Sequence, residues 1–470
     1  MNTSPPSTRV WLCAVLLNLV AVPVWADGEL DTTFGTNGVV KITFPNSALG
    51  YLRDAATVNG IIIAAGYPNA TCSFPDLFVV KLSLTGTVIG SPSTYPQNAI
   101  ECPEGLTVDS ESGDIFIVGQ GAVARFDDKG TLLATASLTG RCYAPGILDS
   151  HRRYVVPCTN FSFFDFEGQT ISWPAGVSVM AVDTTSDPLT ATTVGGMEFP
   201  DSNYPKHEHL TADSIVQDAA SGDYYVGGWG GWCPQNNPAC YVSNSALVVL
   251  RFNGTSGAYD TSYGSGGAGA VKTQCGSSFQ SMAVDDADDL VVAGYGCIAR
   301  FDPAGTLDQT FGQDGLVQFD TGISGVSSDL LRRIYVLEIA SGLLRLNVDG
   351  TLDVSFASNT NIGTLNGGNS AWQALKLTDS SRSSAYLLGG VDGPCVSCGV
   401  TPATTALIAK VMLVSDVSVG GGSGNGGVGA GGGAGGGGTF SLWELCGMLL
   451  LGLWRGLFAS QPIPEDDRGV

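Results

Sequence analysis

The sequence predicts an all-β fold, and three observations lead to that prediction. Short apolar, β-branched runs that end on glycine occur throughout the chain, as in Leu290–Gly294, and such runs are typical of buried strands. The chain contains 65 glycines, a composition that favours many tight turns over long helices. Outside the two ends, no sustained stretch has apolar residues at positions i, i+3, i+4 and i+7, the pattern of an amphipathic helix.

One unit, residues 289–315, contains the elements that the rest of the chain repeats. Leu290–Gly294 predicts one buried strand, and Cys297–Phe301 predicts another. Asp302-Pro303-Ala304-Gly305 has the residues of a type I turn, with Pro at the second position and Gly at the fourth. We therefore expect the chain to fold back, with Thr306–Phe311 as the returning strand.

The spacing within this unit recurs along the chain. A positively charged residue precedes the turn glycine by five residues, and in several copies a Leu-Asp or Tyr-Asp pair then leads to an aromatic residue. The charged residues and their glycines are Lys81 and Gly86, Arg125 and Gly130, Arg300 and Gly305, and Arg345 and Gly350, whereas Arg251 and Gly257 are one residue further apart. A period of roughly 40 to 65 residues indicates a repeat array.

About seven such units can be counted. The third is degenerate, because it lacks the Arg and the turn glycine and contains the aromatic insertion Phe161-Ser162-Phe163-Phe164-Asp165-Phe166. Six or eight units are the alternatives, since the count depends on this one. The units extend over Gly60–Val88, Gly105–Ala136, Gly146–Val194, Glu208–Val271, Ser277–Asp320, Gly325–Ala357 and Gln373–Val411.

The two ends of the repeat array indicate a closed ring. Leu30–Gly38 is the second half of a unit without its first half, and Leu407–Val411 is a first half without its second. An open stack would leave both halves with unpaired strand edges, which promote aggregation. Addition of Leu30–Phe34 to the sheet that contains Leu407–Val411 would close the ring. The sequence therefore predicts a single β-propeller of about seven four-stranded blades, closed by the N-terminal strand pairing into the last blade.

These motifs resemble the delta-sixty repeat family of exported bacterial proteins with β-propeller-type repeats. Arg300–Gly315 and Arg345–Phe356 match the family motif well, Leu30–Gly38 matches its second half, and Arg125–Gly130 matches only as far as the turn. The resemblance covers the predicted propeller, and the third unit departs from it. It implies a propeller exported from a bacterial cell, and it implies no reaction.

The segments outside the repeats predict export. Residues 1–26 contain a single charge, Arg9, then an apolar run and small residues before Asp27, which is typical of a cleaved signal peptide. A buried first strand and a membrane anchor are the alternatives. The propeller is expected over residues 27–418, a flexible Gly-rich linker over 419–438, a short hydrophobic sorting or anchor helix over 439–458 and an acidic polar tail over 459–470.

The Gly-rich and apolar end of the chain resembles the GlyGly-CTERM sorting signal of exported bacterial proteins. The resemblance implies contact with export machinery and with an intramembrane sorting protease. It departs from the pattern in that only Arg455 marks the basic stop and an acidic stretch, Glu465-Asp466-Asp467, follows. A permanent anchor is the alternative, because a span needs about 20 apolar residues and the charge of Glu444 makes this segment a marginal one. Membrane contact is expected only through this segment.

The net charge argues against some partners. The 43 acidic and 21 basic residues give a formal net charge of −22 at pH 7. A field of this sign repels nucleic acid and anionic membrane surfaces. The signal peptide and the two resemblances, rather than the charge, imply a protein exported from a bacterial cell to the cell surface (outer membrane) or the extracellular medium, with the periplasm as an alternative.

Cysteine usage supports an exported protein. Of the 12 cysteines, all but Cys13 and Cys446 lie in the predicted propeller, which leaves an even number, as disulfide pairing requires. Nearest-neighbour pairing is a hypothesis only, because connectivity cannot be read from a sequence. It would join Cys72 with Cys102, Cys142 with Cys158, Cys233 with Cys240, Cys275 with Cys297, and Cys395 with Cys398.

Three short motifs could bind a metal, but each has a simpler interpretation. Cys395-Val396-Ser397-Cys398 is interpreted as a loop disulfide, with zinc and redox chemistry as alternatives, because no second ligand pair and no helix N-terminus accompany it. His207-Glu208-His209 has no third ligand in view, and Asp285–Asp289 has the composition of a polar hairpin turn more than that of a calcium loop. No metal site and no cofactor are predicted.

Aromatic and amide residues near the enlarged connections are candidate ligand contacts. In a propeller, the connection between the second and third strands of a blade opens on the same face as the blade-to-blade connections. Aromatic and amide groups there suit stacking on sugars or contact with a protein. The alternative is that these rings cap their own blades. The candidates are Tyr67, Trp229, Trp232, Asn236, Tyr241 and Tyr295.

The sequence predicts no catalytic residue. It contains no sialidase-type Ser-x-Asp-x-Gly-x-Thr-Trp box, no His beside a nucleophile and no metal cluster. The expected function is therefore that of an exported, non-catalytic scaffold that binds a protein or a glycan. A secreted hydrolase or lyase that acts on polysaccharide is the alternative, because carboxylates are abundant.

Overall fold

The fold was analysed in a computed structural model, which describes residues 28–413 apart from 44–50, 68–76, 96–99, 101–102, 120, 143, 167–168, 199–207, 233–245, 265–269, 274, 277, 340–341, 357–369, 378–383 and 392–404. All of these residues belong to the first of two compact units, Met1–Asp416. No helix within the described ranges is long and apolar enough to cross a membrane. The predicted signal peptide, Gly-rich linker, hydrophobic helix and acidic tail lie outside the described residues.

The described residues form 28 strands and seven antiparallel sheets, each of which is one blade. The prediction of an all-β propeller with seven blades is therefore confirmed.

The N-terminal strand is β1 (Val39–Thr43); blade 1 has β2 (Tyr51–Val58), β3 (Ile61–Tyr67), β4 (Leu77–Ser83) and β5 (Ser93–Tyr95); blade 2 has β6 (Gly105–Val108), β7 (Ile115–Gly119), β8 (Ala122–Phe126) and β9 (Leu132–Ser137). Blade 3 has β10 (Ile147–Leu148), β11 (Arg153–Phe166), β12 (Gln169–Asp183) and β13 (Thr190–Glu198); blade 4 has β14 (Glu208–Leu210), β15 (Ser214–Gln217), β16 (Tyr224–Trp232), β17 (Ala246–Phe252) and β18 (Ala270–Thr273). Blade 5 has β19 (Phe279–Val284), β20 (Leu290–Gly294), β21 (Cys297–Phe301) and β22 (Leu316–Gln318); blade 6 has β23 (Ile323–Ser328), β24 (Ile334–Glu338) and β25 (Gly342–Leu346); blade 7 has β26 (Ser370–Leu377), β27 (Ser384–Val391), β28 (Thr405–Met412) and β1.

The blades are arranged in a ring around their first strands. Each of β2, β6, β10, β15, β19, β23 and β26 contacts the next in this order, and β26 contacts β2. The apolar clusters lie between neighbouring blades, and one of them joins Val291 and Ile298 of blade 5 to Ile323 and Ile334 of blade 6. This is why β7 and β20 are buried at every position and read as continuous apolar runs.

The ring is closed by β1, which pairs antiparallel with β28 in the register Val39↔Ala409. The predicted closure by the N-terminal strand is confirmed, but the closing strand is β1 and not Leu30–Phe34. Leu30 contributes one bridge to Val411. The chain then turns at Phe34–Gly38, where Gly38 donates to the carbonyl of Phe34 at 2.9 Å, before β1 begins.

The repeat motif forms the outer edge of a blade. In blade 5, Gly305 donates to the carbonyl of Asp302 at 2.8 Å, so the expected turn is present. Thr306–Phe311 is not the returning strand, however. Asp308 accepts hydrogen bonds from the backbone and hydroxyl of Thr310 at 2.9 and 2.6 Å, which bends the chain, and the outer strand β22 begins only at Leu316.

A charged residue, an aspartate and an aromatic ring meet at this edge. Arg300 donates to Asp308 through Nε at 2.9 Å and Nη2 at 2.6 Å, and its guanidinium lies 4.6 Å from the centre of the buried Phe311 ring. The same arrangement occurs as Arg345, Asp353 and Phe356 and as Arg251, Asp260 and Tyr263. In blade 7 it is divided between the chain ends, since Lys410 lies 3.0 Å from Asp31.

Three blades depart from the simple pattern. In blade 3, β11 and β12 pair from Arg153↔Asp183 to Phe166↔Gln169, so the aromatic insertion continues the two strands beyond β13, which ends opposite Gly176. In blade 4, both β14 and β15 pair with β16. In blade 6, three strands lie within the described residues.

The blades define two faces, which we name by their connections. The insertion face carries the connections between second and third strands and those between blades. The turn face carries the connections between first and second strands and between third and fourth strands. On the turn face, five buried aspartates begin equivalent hairpins, and each accepts a hydrogen bond from the backbone two residues later; they are Asp109, Asp149, Asp218, Asp285 and Asp329.

Candidate functional site

Two disulfides reinforce the insertion face. Cys142–Cys158 joins the connection between blades 2 and 3 to β11, and Cys275–Cys297 joins the connection between blades 4 and 5 to β21. These two predicted pairs are present in the structure. The pairs Cys72–Cys102, Cys233–Cys240 and Cys395–Cys398 lie outside the described residues.

Tyr295 lies on a rigid turn beside the second disulfide. It occupies the two-residue connection between β20 and β21, where Gly294 pairs with Cys297 and Gly296 has a φ of +82°. The Tyr295 backbone N–H donates to the carbonyl of Ser278 at 3.0 Å, which fixes the turn to the disulfide-linked connection between blades 4 and 5. Its side chain is nevertheless 50% exposed. Tyr295 is therefore a pre-organised aromatic side chain on the insertion face.

The exposed ring of Tyr295 extends onto blade 6. A Cβ added at Gly322 would lie 2.4 Å from the Tyr295 ring and 2.8 Å from Cδ1 of Ile339, so the two side chains converge on this glycine. Ile339 is 53% exposed, and its backbone donates to Gly322 at 2.8 Å. Beside them, Thr321 donates to the buried Glu338 at 2.7 Å. Tyr295, Gly322 and Ile339 form what we call the Tyr295 patch, an apolar surface with a polar margin.

Trp229 has a different environment. It lies within β16, and its ring is partly buried against the apolar cluster between blades 4 and 5. Its backbone N–H donates to the hydroxyl of Thr211, and its carbonyl accepts from the backbone N–H of Thr211. The Thr211 hydroxyl in turn donates to Asp213 at 2.6 Å. Burial raises the pKa of Asp213 above its usual range. The Trp229 ring therefore packs between blades 4 and 5.

The remaining sequence candidates are not brought together by the described residues. Tyr67 and Trp232 are the last residues of β3 and β16, at the insertion face, while Asn236 and Tyr241 lie outside the described ranges. Asp285–Asp289 forms a hairpin turn on the opposite face, as its composition indicated. Within the described part of the chain, no three His, Cys, Asp or Glu side chains are grouped as a metal site would require. His207, Cys395 and Cys398 are outside it.

Charged side chains meet where the first strands of blades 7, 1 and 2 adjoin. Asp54 of β2 is buried, lies 3.1 Å from Lys376 of β26 and accepts from the backbone of Leu106 at 2.8 Å. Glu104, next to β6, lies 3.9 Å from Arg53. Burial raises the pKa of Glu104 to about 6, although Arg53 opposes the shift. Glu104 therefore titrates closer to neutral pH than an ordinary carboxyl group.

Sequence reasoning found Tyr295 but missed Ile339 as its neighbour. Ile339 follows β24 in blade 6 at the position that Tyr295 holds after β20 in blade 5. An alignment of the seven units at this position would have been the signal, because two consecutive blades carry a large apolar residue there. The exposure of each residue could not have been predicted in that way.

The seven sheets and their closed ring define the chain as a β-propeller. Residues 339–356 match the model of a family described as a domain of unknown function (DUF5122) β-propeller. This match is confined to the motif of blade 6, where Arg345, Asp353 and Phe356 meet. The more specific resemblance to delta-sixty repeats remains a prediction.

The solved structures to which the chain is similar are distant in sequence. The WD40 domain of Pan2 from Neurospora crassa has 8% identity and a TM-score of 0.47, and the match covers 83% of this chain and 98% of that chain. The Dos1 propeller has 9% identity and a TM-score of 0.45, with 83% and 95% covered. PorZ, a bacterial surface component of the type-IX secretion system of Porphyromonas gingivalis, has 12% identity and a TM-score of 0.48, with 78% and 47% covered. No curated protein matches the chain.

Proposed function

We propose that this β-propeller is an exported, non-catalytic scaffold that binds a protein or a glycan through its insertion face. The observation that supports the proposal best is the half-exposed Tyr295 ring on a turn fixed by Cys275–Cys297, beside the exposed Ile339. A ligand that covers these two apolar side chains would gain affinity from their burial.

A glycan array combined with a panel of chromogenic glycosides tests this proposal. The purified full-length chain is expected to be retained on particular glycans without turnover, and Tyr295→Ala is expected to weaken retention about tenfold. Leu133→Ala is the matched control, because Leu133 is a similarly exposed apolar residue on the outer strand of blade 2. Equal retention of Tyr295→Ala and the wild type would refute a glycan role for the Tyr295 patch.

A hydrolase or lyase acting on polysaccharide is the second candidate, and Glu104 is the observation that favours it. A carboxyl group whose pKa is raised to about 6 can hold a proton for transfer near neutral pH. Turnover of a chromogenic glycoside by the wild type, abolished in Glu104→Gln, would support this candidate over the scaffold. Turnover that persists in Glu104→Gln would count against Glu104 as the acid.

The proposed location is the bacterial cell surface or the extracellular medium, with the periplasm as the alternative. Disulfides in two blades support an oxidising compartment. The signal peptide of residues 1–26 and the sorting segment of residues 439–458 belong to this proposal, together with contact with an intramembrane sorting protease. Intact-mass measurement of the protein recovered from its cell is expected to show loss of the first 26 residues. A mass that includes them would contradict cleavage.

A further inference from the structure

Four blades carry a corner at their outer edge, which we define as the segment Asp-x-Ser/Thr-Phe/Tyr that adjoins the third strand. The backbone N–H of the corner aspartate donates to the carbonyl of a cationic residue on that strand at 2.8 or 2.9 Å. The aspartate side chain also pairs with the side chain of the same residue. The four aspartates and their cations are Asp31 and Lys410, Asp260 and Arg251, Asp308 and Arg300, and Asp353 and Arg345.

The corners also join each blade to the next one. In three of them a glycine follows the aromatic residue, and its backbone N–H donates to a turn carbonyl of the next blade at 2.7 to 2.9 Å. The aromatic ring packs in the apolar cluster between the same two blades. The glycines and their acceptors are Gly35 and Thr85, Gly264 and Ala304, and Gly312 and Asp349. Each of these corners therefore supplies a carboxylate, a ring and an N–H at a fixed spacing.

Blade 1 has the cation but not the corner. Ile89 occupies the position of the aspartate, since its backbone N–H donates to the carbonyl of Lys81 at 2.8 Å. Only residues 90–92 then join Ile89 to β5, whereas residues 309–315 separate Asp308 from β22 in blade 5. Blade 1 therefore has neither the carboxylate nor the aromatic residue and glycine that follow it in other blades.

Two polar groups at the border of blades 1 and 2 consequently lack the partners that their equivalents have. Nζ of Lys81 donates to the carbonyl of Asp128 at 3.0 Å, but Lys81 belongs to no ion pair within the part of the chain that the structure describes. The carbonyl of Lys129 corresponds to that of Asp349, yet no described residue donates a hydrogen bond to it. Lys81 is partly buried and Ile89 is 43% exposed, so a ligand can reach both side chains.

Blade 2 shows that an exposed apolar residue at the corner position is not in itself the signal. Leu133 holds this position and is 49% exposed, but the cation of blade 2, Arg125, donates to Asp114 at 2.7 Å instead. Asp114 lies two residues before the partner of Arg125 in the strand pairing, and the corresponding residue of blade 1 is Ile61. Lys81 therefore lacks this second carboxylate as well as the first.

We propose that Lys81, Ile89 and the carbonyl of Lys129 form a docking site for a segment of another protein with the sequence Asp-x-Ser/Thr-Phe/Tyr-Gly. The carboxylate of that segment would pair with Lys81, its ring would lie against Lys81 and Ile89, and its glycine N–H would donate to Lys129. A second copy of this chain has no such segment to offer, because its own corners are engaged in their blades. The site is at the outer edge of blade 1 and is independent of the function proposed for the insertion face.

The test uses the full-length chain and the fluorescent peptide Leu-Asp-Gln-Thr-Phe-Gly-Gln-Asp-Gly, which has the sequence of residues 307–315. A second peptide has Asn in place of the first Asp. The wild type is expected to bind the first peptide about fivefold more tightly, whereas Lys81→Met is expected to bind both equally weakly. Lys41→Met, which removes an exposed lysine of β1, is the matched control and should keep the difference. Equal affinities of the wild type for the two peptides, or no binding at about 1 mM peptide, would overturn the proposal.

A second pair of variants keeps Lys81 and places a carboxylate beside it. Ile89→Asp should occupy Lys81 from within blade 1 and is expected to bind the first peptide about fivefold more weakly than Ile89→Asn, which has the same shape without the charge. Equal affinities of these two variants would refute the pairing with Lys81. A peptide with Ala in place of Phe should also bind more weakly, and an unchanged affinity would refute the role of the ring. Urea unfolding confirms that each variant is folded.

Discussion

At the scale of single residues, the repeat motif pairs a buried cation with a carboxylate. Arg300 is only 4% exposed, and a charge so removed from water must be paired. Asp308 supplies the pair, and Arg300 also donates to the carbonyl of Val348 in the next blade. Burial alone would raise the pKa of Asp308, but hydrogen bonds from Thr310 and Arg300 lower it below its usual range. The motif that marks the repeat in the sequence is therefore an ion pair that also joins neighbouring blades.

Removal of the Arg300 guanidinium is expected to lower the free energy of unfolding strongly, whereas its replacement by lysine is expected to lower it only slightly. Arg300→Ala should lower the free energy of unfolding by about 3 kcal/mol, because it leaves the carboxylate of Asp308 without its partner. Arg300→Lys should cost only about 1 kcal/mol, because Lys410 pairs with Asp31 at 3.0 Å in the equivalent place of blade 7. Urea unfolding at neutral pH measures both. An alanine variant within 0.5 kcal/mol of the wild type would contradict this account.

The same ion pairs predict the response to acid. Burial alone would raise the pKa of Asp353, but hydrogen bonds from Ser355 and Arg345 lower the pKa to about 2. Since this is below the ordinary value of about 3.9, the stabilisation is complete above pH 4 and is lost as the pH falls towards 2. Asp353→Asn should be less stable than the wild type at pH 7 and should lose less stability between pH 4 and pH 2. Urea unfolding at several pH values tests the slope, and parallel curves would contradict the assignment.

At the scale of elements, neighbouring blades are held together by backbone contacts that need glycine. Gly312 donates to the carbonyl of Asp349 in the next blade at 2.7 Å, and Gly35 donates to Thr85 at 2.8 Å in the same way. Gly312 has a φ of +60°, and a Cβ added there would lie 2.2 Å from the carbonyl oxygen of Leu316. Gly312 and Gly35 are therefore required for close approach as well as for their positive φ.

A pair of alanine substitutions separates these two requirements. Gly60 also has a positive φ of +75°, but nothing lies within 4 Å of an added Cβ. Gly60→Ala should lower the free energy of unfolding by about 1 kcal/mol, the cost of φ alone. Gly312→Ala should lower it by about 3 kcal/mol, since the added methyl group also displaces the backbone of the outer strand. Thermal and urea unfolding measure the difference, and equal costs would mean that the close contact relaxes freely.

Much of the architecture could be predicted because its signals are local. The position of the turn at Asp302–Gly305 follows from Pro and Gly, and the central strands of each blade follow from continuous burial. Thr306–Phe311 was wrongly predicted as a strand. Its composition indicates an extended segment, but the side chain of Asp308 accepts a hydrogen bond that bends the chain there. The long hairpin of blade 3 was not predicted as continuous strands, because its aromatic run lacks strict alternation.

The candidate site was less predictable, because exposure depends on neighbours far away in the chain. Trp229 and Tyr295 are both large aromatic residues near enlarged connections. Trp229 nevertheless packs between blades, whereas Tyr295 is half-exposed. The packing of Trp229 against the apolar cluster between blades 4 and 5 distinguishes the two rings. Leu330 and Leu331 are likewise apolar in the sequence, yet they are 50% and 49% exposed.

At the scale of the whole molecule, the ring depends on hydrogen bonds between β1 and β28. The backbone N–H of Lys410 donates to the carbonyl of Gly38 at 3.1 Å. Because backbone hydrogen-bonding groups point to alternate sides along a strand, those of Val40 and Ile42 face β28 and those of Lys41 face away from it. Val40→Pro should lower the free energy of unfolding by about 3 kcal/mol beyond Val40→Ala, which controls for the lost side chain. Lys41→Pro should cost much less. Unfolding and light scattering measure stability and aggregation, and equal effects of the two prolines would contradict closure by this ladder.

The division of the last blade between the two chain ends has a consequence for biosynthesis. β1 leaves the ribosome first and β28 almost last, so its partner does not exist until nearly the whole polypeptide has been made. Pairings this distant are slow to form, because the chain entropy is lost before the contact is gained. Sealing of the ring should therefore be the final event of folding. A prematurely terminated polypeptide without β28 would leave both β1 and β27 without the strand that pairs them.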